Sequence, residues 1–75
     1  MTVQHFCLHN TQVGELCVIR DCGYIIGSVW IDNEDIFSLS EYCKNKEVEH
    51  DEWGYLYITN ENGTKTKVQV HYIDI

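Results

Sequence analysis

The chain has 75 residues and a formal net charge of −7, with 44% hydrophobic, 12% aromatic and 23% charged residues. This length predicts one globular domain, 1–75, and the apolar content excludes the charge-rich profile of a disordered chain. The negative charge argues against direct binding to nucleic acid or to an anionic membrane, because each requires a basic patch. Partners are therefore expected to be basic proteins.

The N-terminal sequence predicts the cellular compartment, and the compartment predicts the state of the cysteines. No basic region followed by an apolar stretch opens the sequence, and no apolar run reaches the roughly 18 residues of a membrane span. We therefore expect a cytoplasmic protein with reduced thiols. The four cysteines are expected to be small buried hydrophobic residues, at Cys7, Cys17, Cys22 and Cys43.

The first part of the chain predicts three strands in a meander. Residues 3–9 alternate in the manner of a strand, and residues 15–20 form a short apolar strand. Asp21-Cys22-Gly23 closes a hairpin into a third strand over residues 24–31. Gly27 lies inside this third strand, where it predicts a bulge or a close backbone approach.

A helix of roughly ten residues that ends near Asn45 is predicted to follow. Its start lies either at a cap formed by Asp32 or Asn33, or at the capping box of residues 38–41. Apolar residues at three- and four-residue spacing predict the face that packs on the sheet, and these are Ile36, Leu39, Tyr42 and Cys43.

The last part of the chain predicts a hairpin. Residues 47–53 read as extended and lead into a strand over 55–59, and residues 60–63 form the turn into a last strand over 65–73. The resulting fold class is α+β: a small single domain with one antiparallel β-sheet, in the order β-β-β-α-β-β, and one short helix packed on it. We expect a sheet of this kind to be able to curl strongly.

One segment gathers residue types that bind metals. Strand alternation places His5, Cys7 and His9 on a common face. Structural zinc sites usually bring closely spaced ligands twice along the chain, whereas only one such group exists here. The competing interpretation is that the histidines face solvent and the cysteine packs, so no cofactor is expected and zinc remains an alternative.

The sequence gives less support to calcium binding and to catalysis. The acidic residues 32–35 lack the glycine and the following acidic positions of a calcium-binding EF-hand loop. Cysteine, serine and histidine occur without a motif that would bring a nucleophile and a base together. We therefore predict that the protein is not an enzyme.

Acidic residues are concentrated in one stretch. Residues 32–52 hold eight of the twelve acidic residues and two lysines, which gives this stretch a formal charge of −6. On an extended strand, Glu47, Glu49 and Asp51 would form a row spaced by about 6.6–6.8 Å. That spacing is close to the roughly 6–7 Å between successive phosphates of a nucleic-acid strand. The alternative interpretation is a solvated strand edge whose charge discourages aggregation.

Aromatic residues adjoin the acidic stretch and complete a predicted partner-binding surface. Trp and Tyr dominate interface hot spots, and neighbouring acids would steer a basic partner toward them. The predicted surface consists of Glu47, Glu49, Asp51, Glu52, Trp53 and Tyr55. An exposed row of aromatic residues is equally typical of a homodimer interface.

The overall profile is short, acidic, single-domain and free of catalytic motifs. It is similar to that of small phage or mobile-element proteins that inhibit host nucleic-acid enzymes, including anti-CRISPR proteins. The similarity is one of class, and it implies an inhibitor or modulator that docks on a basic, nucleic-acid-binding protein. The alternatives are a structural or homo-oligomeric subunit and a small zinc-binding protein.

Overall fold

A computed structural model describes residues 1–32 and 39–75 of the chain. In these residues the elements are α1 (Val3–His9), β1 (Leu16–Asp21), β2 (Tyr24–Trp30), α2 (Glu41–Asn45), β3 (His50–Thr59) and β4 (Lys65–Asp74). The strands form one sheet in the order β2-β1-β4-β3. Within the described ranges, no helix has the length and apolarity needed to cross a membrane.

The predicted class, a small α+β domain, is confirmed, but two details of the prediction are wrong. The described elements follow the order α-β-β-α-β-β, with two helices instead of one. The sheet is mixed, because β1 pairs with β4 in parallel while β1 with β2 and β3 with β4 pair antiparallel. Two hairpins therefore lie side by side, joined through their inner strands.

The segment Val3–His9 is a helix, so the prediction of a strand there is wrong. The hydroxyl of Thr2 caps this helix by accepting a hydrogen bond from the His5 N–H at 3.2 Å. Val3, Phe6 and Cys7 recur at the spacing of one helix face, and all three are buried. A segment of seven residues fits both periodicities, and the cap together with this buried face favours the helix.

The predicted hairpin between β1 and β2 is confirmed. Its two turn residues, Cys22 and Gly23, have φ values of 52° and 83°. Two consecutive positive φ values are typical of a two-residue hairpin turn whose twist matches that of the strands. The pairing register shifts beside Gly27, which confirms the irregularity predicted at this glycine.

The predicted turn between β3 and β4 is also confirmed. The N–H of Asn60 donates to the carbonyl of Thr64 at 2.7 Å, and the N–H of Gly63 donates to the carbonyl of Asn60 at 3.0 Å. The side-chain oxygen of Asn62 accepts hydrogen bonds from both the N–H and the hydroxyl of Thr64. These local bonds fix the pairing of the two longest described strands.

The helix α2 covers only the end of the predicted helix. It begins after Ser40, whose hydroxyl accepts a hydrogen bond from the Cys43 N–H at 3.2 Å, and it ends at Asn45 as predicted. The alternative caps at Asn33 and Ser38, and the predicted core residue Ile36, lie outside the described residues. Of the other predicted core positions, Leu39 and Cys43 are buried, whereas Tyr42 is exposed.

The main core lies between the helices and one face of the sheet. Both helices, three strands and the segment before α2 contribute to it, through Val3, Phe6, Cys7, Cys17, Ile19, Val29, Ile31, Leu39, Cys43 and Ile73. Three of the four cysteines are thus buried as predicted, and all four are free thiols. Cys22 is the exception, because it occupies the exposed hairpin turn.

A smaller apolar cluster lies on the opposite face of the sheet. Leu16, Val18 and Val70 are buried there by partly buried neighbours, which are Leu56, Val68 and Tyr72. The predicted alternation of β4 is therefore correct, with Val70 and Tyr72 on one face and His71 on the other. The face that carries His71 is the one that the helices cover.

Gly54 in β3 provides space for the ring of Tyr72 on β4. A Cβ atom at position 54 would lie 2.5 Å from Cε2 and 2.9 Å from Cδ2 of this ring. The ring cannot move freely, because the guanidinium of Arg20 lies 4.2 Å from its centroid and its hydroxyl donates to the Tyr55 carbonyl at 3.3 Å.

We expect Gly54→Ala to lower the free energy of unfolding by about 1–3 kcal/mol, because the added methyl group overpacks this contact. Urea denaturation of the wild-type and variant proteins measures the difference. In a Tyr72→Ala background the same substitution should be neutral or stabilising, since a strand interior favours alanine over glycine once the clash is removed. An equal loss in both backgrounds would contradict the steric explanation.

Candidate functional site

A buried histidine lies at the centre of the candidate site. His71 on β4 is the one polar or charged residue that is fully buried among the described residues. The edge of the Phe6 ring contacts the imidazole at a centroid distance of 5.1 Å, and the indole of Trp53 stacks on it at 4.4 Å. The imidazole is therefore held between α1 and β3, which fixes its orientation.

Two carboxylates flank the imidazole of His71. Its Nε2 atom lies 2.8 Å from Asp51 Oδ2, within hydrogen-bonding distance. Its Nδ1 atom lies 3.9 Å from Glu15 Oε2, which is too long for a hydrogen bond. Both of these facing atoms, His71 Nδ1 and Glu15 Oε2, are buried and have no hydrogen-bond partner.

A thiol completes this group. Cys17 on β1 is the direct partner of His71 across the parallel ladder, and Glu15 lies two residues before Cys17. The ligand atoms of Glu15, Cys17 and His71 all lie within 4.8 Å of one another. We call these three residues together with Asp51 the buried histidine site.

A second thiol touches the site from α1. A hydrogen bond between the side chains of Cys7 and Cys17 lowers the pKa of Cys7 and raises the pKa of Cys17. Burial opposes the shift at Cys7 and adds to the shift at Cys17. The two thiols are therefore in hydrogen-bonding contact, and Cys7 adjoins the buried histidine site.

The predicted metal ligands of the N-terminal segment do not share a face. Since the segment is helical, His5 and His9 lie one turn apart on the exposed side of α1, with ring centroids 4.4 Å apart. Cys7 points instead into the core. The predicted combination of His5, Cys7 and His9 is therefore not brought together, and only Cys7 lies beside the buried histidine site.

Three of the four acids predicted to bind a partner have internal partners. Ion pairs join Glu47 to the Met1 ammonium and Glu52 to Arg20, and Asp51 is hydrogen-bonded to His71. Glu49 is exposed, and no ion pair of its carboxylate occurs among the described residues. The charge available to a partner is therefore smaller than the sequence indicates, and Glu49 is the acid most available to a partner.

The predicted row of carboxylates is only partly on a strand. β3 begins at His50, so Glu47 and Glu49 precede it and Asp51 lies within it. Glu47 forms an isolated bridge with Thr2, and the Glu49 N–H donates to the carbonyl of Asp74 at 2.8 Å. These contacts hold the segment before β3 against the rest of the domain. The matching of carboxylate and phosphate spacing stays a prediction.

The aromatic residues of β3 lie on one face of an edge strand. Trp53, Tyr55 and Tyr57 alternate along β3, and each side chain is more than half exposed. We call these three residues the aromatic row. Trp53 also stacks on His71, so the aromatic row begins at the buried histidine site. The predicted residues Trp53 and Tyr55 are thus exposed together, and Tyr57 extends the same surface.

Sequence reasoning missed the roles of Glu15, Cys17 and His71. These residues come from two segments far apart in the chain, and only the parallel pairing of β1 with β4 brings them together. The one available signal was the isolated histidine in the alternating pattern of the last strand. Without the helix that covers this face, that histidine reads as solvent-exposed.

The chain was compared with known proteins. No family model matches it, and neither a curated protein nor a solved structure shows significant similarity to it.

The ion-pair cluster around Arg20 holds Glu52 at the predicted surface and joins the ends of three strands. Arg20 Nε donates to Asp74 Oδ1 at 2.7 Å, and its Nη2 donates to Asp74 Oδ2 at 3.0 Å and to Glu52 Oε1 at 2.8 Å. The hydrogen bonds from Arg20 lower the pKa of Asp74 below its usual value of 3.8; burial opposes this shift, and His50 adds to it.

We expect Asp74→Asn to lower the free energy of unfolding at pH 7 by about 1 kcal/mol, since a charge-assisted hydrogen bond is lost. The folded-state pKa of Asp74 lies below its unfolded value, so its stabilising effect is present above about pH 4. The effect should disappear as the pH falls further through the folded-state pKa. Urea denaturation between pH 7 and pH 2 measures it, with Glu61→Gln in the exposed turn as control. A difference that does not decrease between pH 4 and pH 2 would contradict this assignment.

Proposed function

We propose that the protein is a small protein-binding module that docks its acidic and aromatic surface on a basic, nucleic-acid-binding partner and blocks the partner's groove. The docking surface consists of the aromatic row and the acids that precede it. Of these acids, Asp51 is exposed on the same face of β3 as the row, and Glu49 is exposed directly before β3. The proposal extends to the inhibitor class that the sequence profile resembles, that of small phage or mobile-element proteins.

The observation that carries the proposal is the exposure of the whole aromatic row. The three aromatic side chains at alternate positions of β3 are more than half exposed, so most of their area is not covered by the core. Trp and Tyr residues offer large, rigid contact areas with little loss of side-chain entropy, and they are enriched at binding hot spots. A partner that covers the row would bury this apolar area.

Charge selects the kind of partner. Glu47, Glu49, Asp51 and Glu52 directly precede Trp53, so carboxylates adjoin the start of the aromatic row. A basic protein would be steered to this surface, whereas nucleic acid would be repelled. At the far end of the row, Lys67 lies 4.2 Å over the Tyr55 ring, so the surface changes from acidic to basic along β3.

The alternative is a homo-oligomer in which the aromatic row pairs with a second copy. β3 is an edge strand of the described sheet, and an exposed edge can pair with another chain. The salt dependence of binding distinguishes the two possibilities. The affinity for a basic partner falls steeply as the salt concentration rises, whereas an apolar interface between two copies of the chain is not weakened by salt.

The test is a competition experiment with purified nucleic-acid-binding proteins from the source cell, each bound to a fluorescently labelled DNA duplex. The protein should displace the duplex from its partner, and its own affinity for the partner, measured without the duplex, should fall as salt rises from about 50 to about 200 mM, because screening weakens the charge attraction. Tyr55→Ala should weaken displacement by about 30-fold, as for a hot spot of about 2 kcal/mol. Tyr24→Ala, at the exposed hairpin turn of the opposite edge, is the matched control and should have no effect.

Charge variants complete the experiment. Glu49→Lys should weaken displacement and flatten its salt dependence, whereas Glu61→Lys makes the same change of charge at the far turn and should have a smaller effect. Equal effects of the two reversals, or of Tyr55→Ala and Tyr24→Ala, would overturn the proposed surface. Dimerisation of the protein that Tyr55→Ala abolishes, without displacement of any duplex, would overturn the inhibitor role in favour of the homo-oligomer.

A further inference from the structure

We propose that the buried histidine site binds a zinc ion through Glu15, Cys17 and His71, with Asp51 orienting the histidine. This inference is independent of the proposed function. It also differs from the zinc site that the sequence left as an alternative in the N-terminal segment, because it uses neither His5 nor His9.

The backbone places the three ligands on one side of the sheet. Glu15 directly precedes β1 and lies two residues before Cys17. His71 is the direct partner of Cys17 on β4. The pairing of β1 with β4, together with the residue that precedes β1, therefore brings a carboxylate, a thiol and an imidazole together, with their ligand atoms within 4.8 Å of one another.

The separation of two of these atoms, His71 Nδ1 and Glu15 Oε2, is close to that in a tetrahedral zinc site, and Cys17 Sγ lies within 4.8 Å of both. Zinc binds imidazole nitrogen and carboxylate oxygen at about 2.0–2.2 Å, which places the two ligand atoms about 3.4 Å apart in tetrahedral geometry. His71 Nδ1 and Glu15 Oε2 lie 3.9 Å apart. A movement of about half an ångström, within the reach of side-chain rotation at Glu15, brings them to the required distance.

Hydrogen bonding leaves a lone pair on each of these atoms. If the imidazole is neutral with its proton on Nε2, Asp51 accepts a hydrogen bond from Nε2, and Nδ1 acts as an acceptor. Glu15 Oε2 is also an acceptor, and both atoms are buried without a donor. Two facing buried acceptors repel each other and lose their hydration, whereas a cation between them would satisfy both.

The surroundings of His71 resemble those of metal-binding histidines in general. Such histidines usually donate their second N–H to a carboxylate, which fixes the tautomer and the orientation of the ring, and Asp51 is placed for this role. The side chain of His71 is only 5% exposed, and the rings of Phe6 and Trp53 pack against it. The site is thus rigid on the histidine side and adjustable on the glutamate side.

The ligand types select zinc among the common divalent cations. Magnesium and calcium prefer oxygen ligands, whereas a thiolate with an imidazole is typical of zinc. Cys7 lies in hydrogen-bonding contact with Cys17 and is the residue placed to provide a fourth ligand. Zinc would then connect α1, β1 and β4 through the main core.

The competing explanation is that a second proton on His71, and not a metal ion, lies between His71 Nδ1 and Glu15 Oε2. If His71 carries protons on both nitrogens, its positive charge satisfies Glu15 and Asp51 without a metal. In that case Glu15→Gln would remove the carboxylate that pairs with the charged imidazole, and it would lower the free energy of unfolding of the metal-free protein. Under the zinc proposal the metal-free protein gains from the same substitution, because the amide N–H₂ of glutamine can donate to Nδ1.

The experiment uses the full chain, purified, stripped with a chelator and then titrated with zinc chloride against a chromophoric chelator. We expect one zinc per chain. Co²⁺ should give the visible absorption of a tetrahedral site, together with a charge-transfer band that requires a thiolate ligand. In a Trp30→Phe background, the fluorescence of Trp53 should change on metal binding, because its indole stacks on His71.

Variants distinguish this site from other cysteine and histidine residues. Glu15→Gln should weaken zinc binding at least about 10-fold, and Asp51→Asn should weaken it by about 10- to 100-fold. Cys17→Ser should remove the cobalt–thiolate band unless Cys7 replaces it, so Cys7→Ser/Cys17→Ser is measured as well. Cys22→Ser and His5→Gln are matched controls at exposed positions and should bind zinc as the wild type does.

The result that overturns the proposal is clear even if a cysteine variant fails to fold. Absence of stoichiometric zinc binding by the wild-type chain would do so, as would binding that His5→Gln abolishes and Glu15→Gln leaves unchanged. Lower stability of metal-free Glu15→Gln, measured by urea denaturation, would assign a proton instead of a metal to the space between His71 and Glu15.

Discussion

The parallel pairing of β1 with β4 is the interaction on which the remaining structure depends. It joins two hairpins that would otherwise be separate, and its register runs from Leu16 opposite Val70 to Arg20 opposite Asp74. Parallel strands require a long connection, and here β2, α2 and β3 all lie between the paired segments. A shift of one residue would exchange the two faces of β4, and with them the core and the histidine.

The two faces of this central pair have different chemistry. On the face covered by the helices, Cys17 pairs with His71 and Ile19 pairs with Ile73, so a polar residue adjoins the best-buried apolar residues. On the other face, Arg20 joins Asp74 and Glu52 at the exposed end of the strands. The ion pairs at the exposed end have conventional partners, whereas the histidine faces an unpaired carboxylate. Local conflicts of this kind in a folded protein are expected at functional sites.

Features of the fold that depend on neighbouring residues could be predicted from the sequence. The turn at Asn60–Gly63 and the alternation of β4 follow from turn chemistry and from a period of two, and both are correct. The helix at Val3–His9 was missed because seven residues fit either periodicity. The mixed sheet was missed because no local pattern specifies the pairing of β1 with β4, whose residues are far apart in the chain. The same contact explains why Trp53 and Tyr55 could be proposed from composition, whereas Glu15 and His71 could not.

The exposed thiol of Cys22 allows the protein to be labelled at one chosen position. Three thiols are buried and this one is exposed, so a thiol-reactive dye or spin label would attach at a single defined point. A hydrogen bond with Asp21 raises the pKa of Cys22, so labelling would proceed faster in mildly alkaline buffer than at neutral pH. The turn joins β2, an edge strand, to β1, whereas the aromatic row occupies the opposite edge strand, β3. A label there would report orientation and distance while leaving the aromatic row unmodified.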